Sequence, residues 1–215
     1  MSDWIIENFE WVLARDDNKL NDLILPTKDY FTAPGGQDEK TARAVADDVA
    51  RHLNIDQKFH IEPLPNLPDE IAHQYGQMSD IAGQYWHDTD EPLITYSPRN
   101  MRQPMNFIAT MAHEFLHLKL ADHEHLLPGG EAMHELTTDL HMIIEGFGVF
   151  ALEGADQAGW SGYMTQPTCA YALAVFLKFK GLDAMATNSY LSSRPRKYLK
   201  VAIANVDRID LPSVG

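Results

Sequence analysis

The stretch Q-P-M-N-F-I-A-T-M-A-H-E-F-L-H-L-K-L-A, residues 103–121, decides how this chain is read. It is almost continuously apolar, too long for a strand, and built from strong helix formers such as Ala, Met and Leu, which predicts a buried helix. Four histidines and two glutamates fall within residues 111–125. Such groups are costly to bury unless something satisfies them, and a metal ion does so.

His113-Glu114-Phe115-Leu116-His117 is H-E-x-x-H. On a helix, histidines at i and i+4 project from one face a turn apart, and both can reach one ion at about 2.0–2.1 Å. Glu114 stands about 100° round the helix from His113 and about 60° from His117, so it can approach water beside an ion without binding the ion itself. Catalytic zinc sites take a third protein ligand and leave a position for water. Glu135 is the leading candidate, in H-E-L-T-T-D after the Pro128-Gly129-Gly130 turn, which would let a second helix over 131–150 fold back on the first. Asp139 shares the Glu135 face at i+4, where it can accept the hydrogen bond of a ligating imidazole and fix its tautomer. Met142 and Gly146 continue that stripe, and Gly146 would permit close helix approach. The rival third ligand is His123, which could return to the ion only if the chain turned sharply at Leu120, a turn glycine makes more easily.

His113, Glu114, His117, Glu135 and Asp139 together resemble the gluzincin zinc metallopeptidases, in which H-E-x-x-H is followed on a later helix by E-x-x-x-D. The layout is also similar to a bacterial zincin-like family with G-F-G after the second helix, as in Gly146-Phe147-Gly148. The resemblance implies one Zn2+ per chain held by His113, His117 and Glu135, with Glu114 activating water and Asp139 bonded to a ligating histidine. It implies hydrolysis of peptide bonds in a peptide or protein substrate. The fold expected is α+β and zincin-like: a small, mainly antiparallel sheet packed on the active-site helix, with a helical C-terminal half, residues 1–215 forming one domain.

Two features depart from the family pattern. Lys119 stands where the extended signature usually has an apolar residue, and no motif marks a second proton donor, for which Tyr163, His141 and Tyr171 are of suitable type. Met164 can be read as the methionine turn of the metzincins, where the third ligand is a histidine placed like His123, or more simply as a core residue. A different class of function also fits the residues: a zincin-like protein that binds metal without hydrolysis and serves as a structural or partner-binding module. Metal buffering by the histidine-rich segment is a third.

Elsewhere, residues 2–15 suit a helix capped by Ser2, and residues 38–53 alternate small apolar and charged residues at helical spacing. Residues 59–64 read as a strand, after which Pro63, Pro65 and Pro68 exclude a helix. Residues 83–87 and 93–97 flank D-T-D-E-P and suit a hairpin. Helices are expected over 167–180, 183–191 and 194–206.

The net charge of −14 over 215 residues disfavours nucleic acid and anionic membranes as partners. The basic residues Arg194, Arg196, Lys197 and Lys200 have the spacing of a solvated helix face. Cys169 is the sole cysteine, which suits a reducing, cytoplasmic setting. The amino terminus lacks the basic start and apolar run of a secretory signal, and no stretch approaches the roughly 18 apolar residues of a membrane span.

Overall fold

A computed structural model describes residues 1–15, 19–64, 91–159 and 162–211. The element that organises it is the one the opening stretch predicts. Pro104–Leu120 (α3 below) is a helix of 17 residues that starts with proline in its first turn, where the ring blocks no helical hydrogen bond. Met105, Phe107, Ile108, Met111, Ala112, Phe115, Leu116 and Leu120 are all buried on it, while His113, His117 and Glu114 share one side and Lys119 points elsewhere, towards Glu145.

Two earlier helices precede it. Ser2–Leu13 (α1) begins at Met1, and Ser2 turns its hydroxyl to Asp3 rather than capping the helix. Glu39–His52 (α2) is capped by Asp38, whose carboxylate accepts the Thr41 amide at 2.8 Å. Trp4 of α1 donates its indole N–H to the Pro128 carbonyl at 2.8 Å, which fixes the turn that reverses the chain after α3.

The sheet corrects the expected fold class. His60–Pro63 (β1) and Leu93–Tyr96 (β2) pair in parallel, with His60 opposite Leu93 and Pro63 opposite Tyr96. Among the described residues this is the whole sheet, and the rest is overwhelmingly helical, so the architecture is not an α+β zincin built on an antiparallel sheet. The hairpin reading used a local turn signal, whereas β2 takes its partner from before the long intervening segment, and a parallel pair requires such a crossover. The proposed strand over 83–87 lies outside the described residues. The small sheet does pack on α3: Ile94 is fully buried, Phe59 meets Phe115 edge-on at 4.8 Å and Tyr96 meets Phe107 at 5.8 Å.

The second long helix is also corrected. Residues 131–150 do not form one helix but a 3-10 turn Glu131–Met133, the helix His134–Met142 (α4), a π-helical turn Ile143–Phe147, and the start of Gly148–Gln157 (α5). The break is at Gly146, whose φ of 97° lies in the left-handed region open to glycine. There the Gly146 carbonyl accepts the Ile24 amide at 3.0 Å, and a Cβ at 146 would run into the Asp22 carbonyl. Gly146 thus admits the backbone of the 19–24 segment rather than a neighbouring helix. A true helix-to-helix approach occurs further on, where a Cβ at Gly154 of α5 would come 2.9 Å from the Asn106 Cα of α3.

The chain closes with Gln166–Phe179 (α6), capped by Thr165, a short Met185–Asn188 (α7) and Ser193–Val206 (α8). Cys169 is buried in α6 as a small apolar residue, and Arg194, Arg196, Lys197 and Lys200 lie exposed on α8. Among the described residues no helix is long and apolar enough to cross a membrane.

Replacing Gly146 by Ala combines a disfavoured backbone conformation with a backbone clash, and should lower stability by about 3 kcal/mol, read as a fall in the urea midpoint at unchanged slope. An unshifted midpoint would show that the 19–24 segment does not bear on this turn.

Candidate metal centre

α3 and α4 meet where the reversal at Pro128 brings them side by side, and four of the residues singled out from the sequence converge in that contact. His113 and His117 point their Nε2 atoms to within 3.0 Å of each other, their rings edge to face. From the first turn of α4, Glu135 places Oε2 3.2 Å from His113 Nε2 and 3.6 Å from His117 Nε2. These are the residues whose ligand atoms all lie within 4.8 Å of one another. A tetrahedral ion with bonds of about 2.0–2.1 Å spaces its ligands about 3.3–3.4 Å apart, and the three observed edges bracket that value. One nitrogen from each histidine and one carboxylate oxygen therefore fit a zinc-class ion with little movement.

Asp139, one turn further along α4, explains why His113 is held so well. Its Oδ1 accepts the His113 Nδ1–H at 2.9 Å, which leaves Nε2 to face Glu135. Its Oδ2 accepts the backbone amides of Tyr163 at 2.7 Å and Met164 at 3.0 Å. The loop before α6 is thereby tied to the same carboxylate that orients the imidazole. Gly162 makes this possible, with φ at 106° and its missing side chain facing Asp139 Oδ2.

The charged and buried surroundings shift the two imidazoles in opposite directions. Burial opposes charge on His113, but the hydrogen bonds from Asp139 and Glu135 outweigh it and hold the imidazole up to about 10. Burial, reinforced by that neighbouring charge, pushes His117 down to about 4. Charge is thus favoured on His113 and disfavoured on His117. Burial pushes the Glu114 carboxyl above the ordinary range, with the His113 charge pulling it back and Glu135 adding to the rise. Both influences place Glu114 within electrostatic reach of the cluster.

Other candidates are sorted by the fold. His123 is outside the cluster: α3 passes straight into a 3-10 turn, Ala121–Leu126, with Leu120 at φ −92°, and the His123 ring packs edge-on against Trp11. The return turn of the metzincins is not formed. Met164 is buried and serves the site through its backbone amide. Tyr163 lies beside the cluster, its ring stacked on His113 at 5.9 Å and 14°, and is 44% exposed. Tyr171 lies within the electrostatic reach of Asp3 on α1. His141 is buried, donates to Asn8 Oδ1 at 3.3 Å and meets Trp11 edge-on. Lys119, the departure from the family signature, donates to the buried Glu145 at 2.5 Å, and Asn21 binds the other Glu145 oxygen.

His134 carries no motif of its own in the sequence. Its ring lies 4.8 Å from that of His117, with Nδ1 3.3 Å from Glu124 Oε1. Its place directly before Glu135 was the available signal. The amides of Tyr163 and Met164 were invisible to side-chain motifs, and only Gly162 hinted at a tight turn there.

No family model matches the chain, and neither a curated protein nor a solved structure matches it. The family likeness therefore stays with the five residues that carry it.

Two outcomes follow from this geometry. Asp139→Asn should lower Zn2+ affinity about 10–100-fold, measured by competition with a chromogenic chelator, because His113 loses its charged orienting partner. Unchanged affinity would mean that Asp139 serves only the 162–164 loop. The second concerns His141, which burial, with Lys119 adding, pushes down to about 3. A folded value below the unfolded one means that the unfolded chain binds the proton first, so this contribution to stability is full above about pH 6.5 and is lost as pH falls towards 3. Denaturant titrations from pH 7 to pH 4 should show a shallower loss in His141→Gln, by about 1.4 kcal/mol per pH unit below 6.5. Parallel curves for the two proteins would remove His141 from the acid response.

Proposed function

We propose that this chain is a zinc-dependent hydrolase of the gluzincin type that cleaves peptide bonds, binding one ion through His113, His117 and Glu135. The observation that carries the reading is the convergence of those three donor atoms within electrostatic reach of a partly buried glutamate that is not one of them. When bound, an ion of this class acts as a Lewis acid that makes water nucleophilic near neutral pH and polarises a carbonyl.

The chain's own residues would divide the remaining work. His113 and His117 present Nε2, and Asp139 keeps His113 in the tautomer that leaves that atom available. Glu114 takes a proton from the attacking water and hands it to the leaving amine, and a carboxyl raised by burial suits both halves of that transfer. Tyr163, exposed beside His113, would be open to contact from a substrate held at the ion. The peptide substrate comes from the resemblance carried by the five motif residues. A net charge of −14 argues against a polyanionic partner, and the single buried thiol of Cys169 suits the reducing cytoplasm.

Glu114→Gln separates this reading from that of a metal-stapled binding module. The zinc-loaded wild type should cleave a mixture of short peptides, and the variant should keep its ion while losing at least about 100-fold in rate, as removal of a general base does. Cleavage that persists in the variant, or a loaded wild type that cleaves nothing, would overturn the hydrolase.

A further inference from the structure

We infer that His134 and Glu124 form a second, outer site for a divalent transition-metal ion, adjacent to His117 but separate from the cluster of His113, His117 and Glu135. His134 Nδ1 and Glu124 Oε1 lie 3.3 Å apart. That is the spacing of two ligands on one zinc-class ion, about 3.3–3.4 Å. The contrast within the same molecule is informative: His60 and Glu91, an exposed pair on the small sheet, approach to 2.6 Å, a direct ion-pair contact that leaves no room for a shared cation.

Two further features place the outer pair on an approach to the inner donors. His134 and Glu135 are consecutive, so one turn of α4 sends one ligand to each position, and the His134 ring overlies that of His117 at 4.8 Å with 34° between planes. The outer side chains are 30% and 37% exposed, against 11% to 18% for the inner donors, so an arriving cation meets Glu124 and His134 first. Charge does not forbid double occupancy. Glu135 and Asp139 offset an inner divalent ion, and Glu124 contributes its own negative charge to the outer one. With two protein ligands and water completing the shell, the outer site should be the weaker and the faster to exchange.

The inference rests on donor spacing and on the exposure of the pair, and holds whatever reaction the inner site performs. Calorimetric titration of the metal-free full chain with Zn2+ tests it. Wild type should show a tight event followed by a weaker one. Glu124→Gln, which leaves the His117 packing untouched, and His134→Ala should each weaken the second event at least tenfold while the tight one persists. His117→Ala should do the reverse. A single event in wild type, or a second event that both outer variants leave intact, would overturn the proposal. Absence of the tight event would instead sink the hydrolase reading, so the two failures are told apart.

Discussion

Two imidazoles and a carboxylate meeting in the contact between α3 and α4 set the constraint that dominates this structure: each of their polar atoms must find a partner there. Polar atoms 3.0–3.6 Å from one another repel unless a hydrogen or a cation lies between them, and the pull of Asp139 and Glu135 favours charge on His113. The same three atoms are spaced as the ligands of a zinc-class ion. The contacts that satisfy them also tie α3 to α4.

Asp139 extends that constraint outward. With one oxygen on His113 and the other on two backbone amides of the loop before α6, it makes the orientation of an imidazole depend on the path of a segment more than twenty residues away. At position 162 the backbone takes φ 106°, a conformation glycine adopts without strain, and that turn delivers the two amides to the carboxylate. Tyr163 follows directly, and its stacking on His113 is a by-product of the same closure.

Beyond the cluster, the Lys119–Glu145 pair explains a residue that fits the family pattern poorly. Lys119 is two residues past His117 on α3, and its partner sits in the π-helical turn that ends α4. Burying such a pair adds little net stability, but removing either partner leaves a charge without compensation, so the pair fixes how α3 and the turn register. Asn21 and the approach of Asp22 to Gly146 join the 19–24 segment to that register. The π turn is the irregular element that lets one polypeptide serve both the donors of α4 and the packing of α5.

The sequence by itself determined what depends on helical periodicity. The apolar run 103–121 specifies a buried helix, the i, i+4 spacing puts His113 and His117 on one face, and the same spacing aligns Glu135 with Asp139, because neighbours along a helix are set by local geometry alone. The tertiary structure decided everything that depends on which distant segments meet. β2 pairs in parallel with β1 because strand partnership is a long-range choice that a local turn signal does not govern. The helix expected over 131–150 breaks at Gly146 because a backbone carbonyl from residue 22 enters there. Tyr163, Met164, His134 and Glu124 join or flank the cluster through loop closure and ring contact, which carry no periodic signature in the chain. Periodicity is written in consecutive residues, whereas loop closure is settled only when the whole core packs.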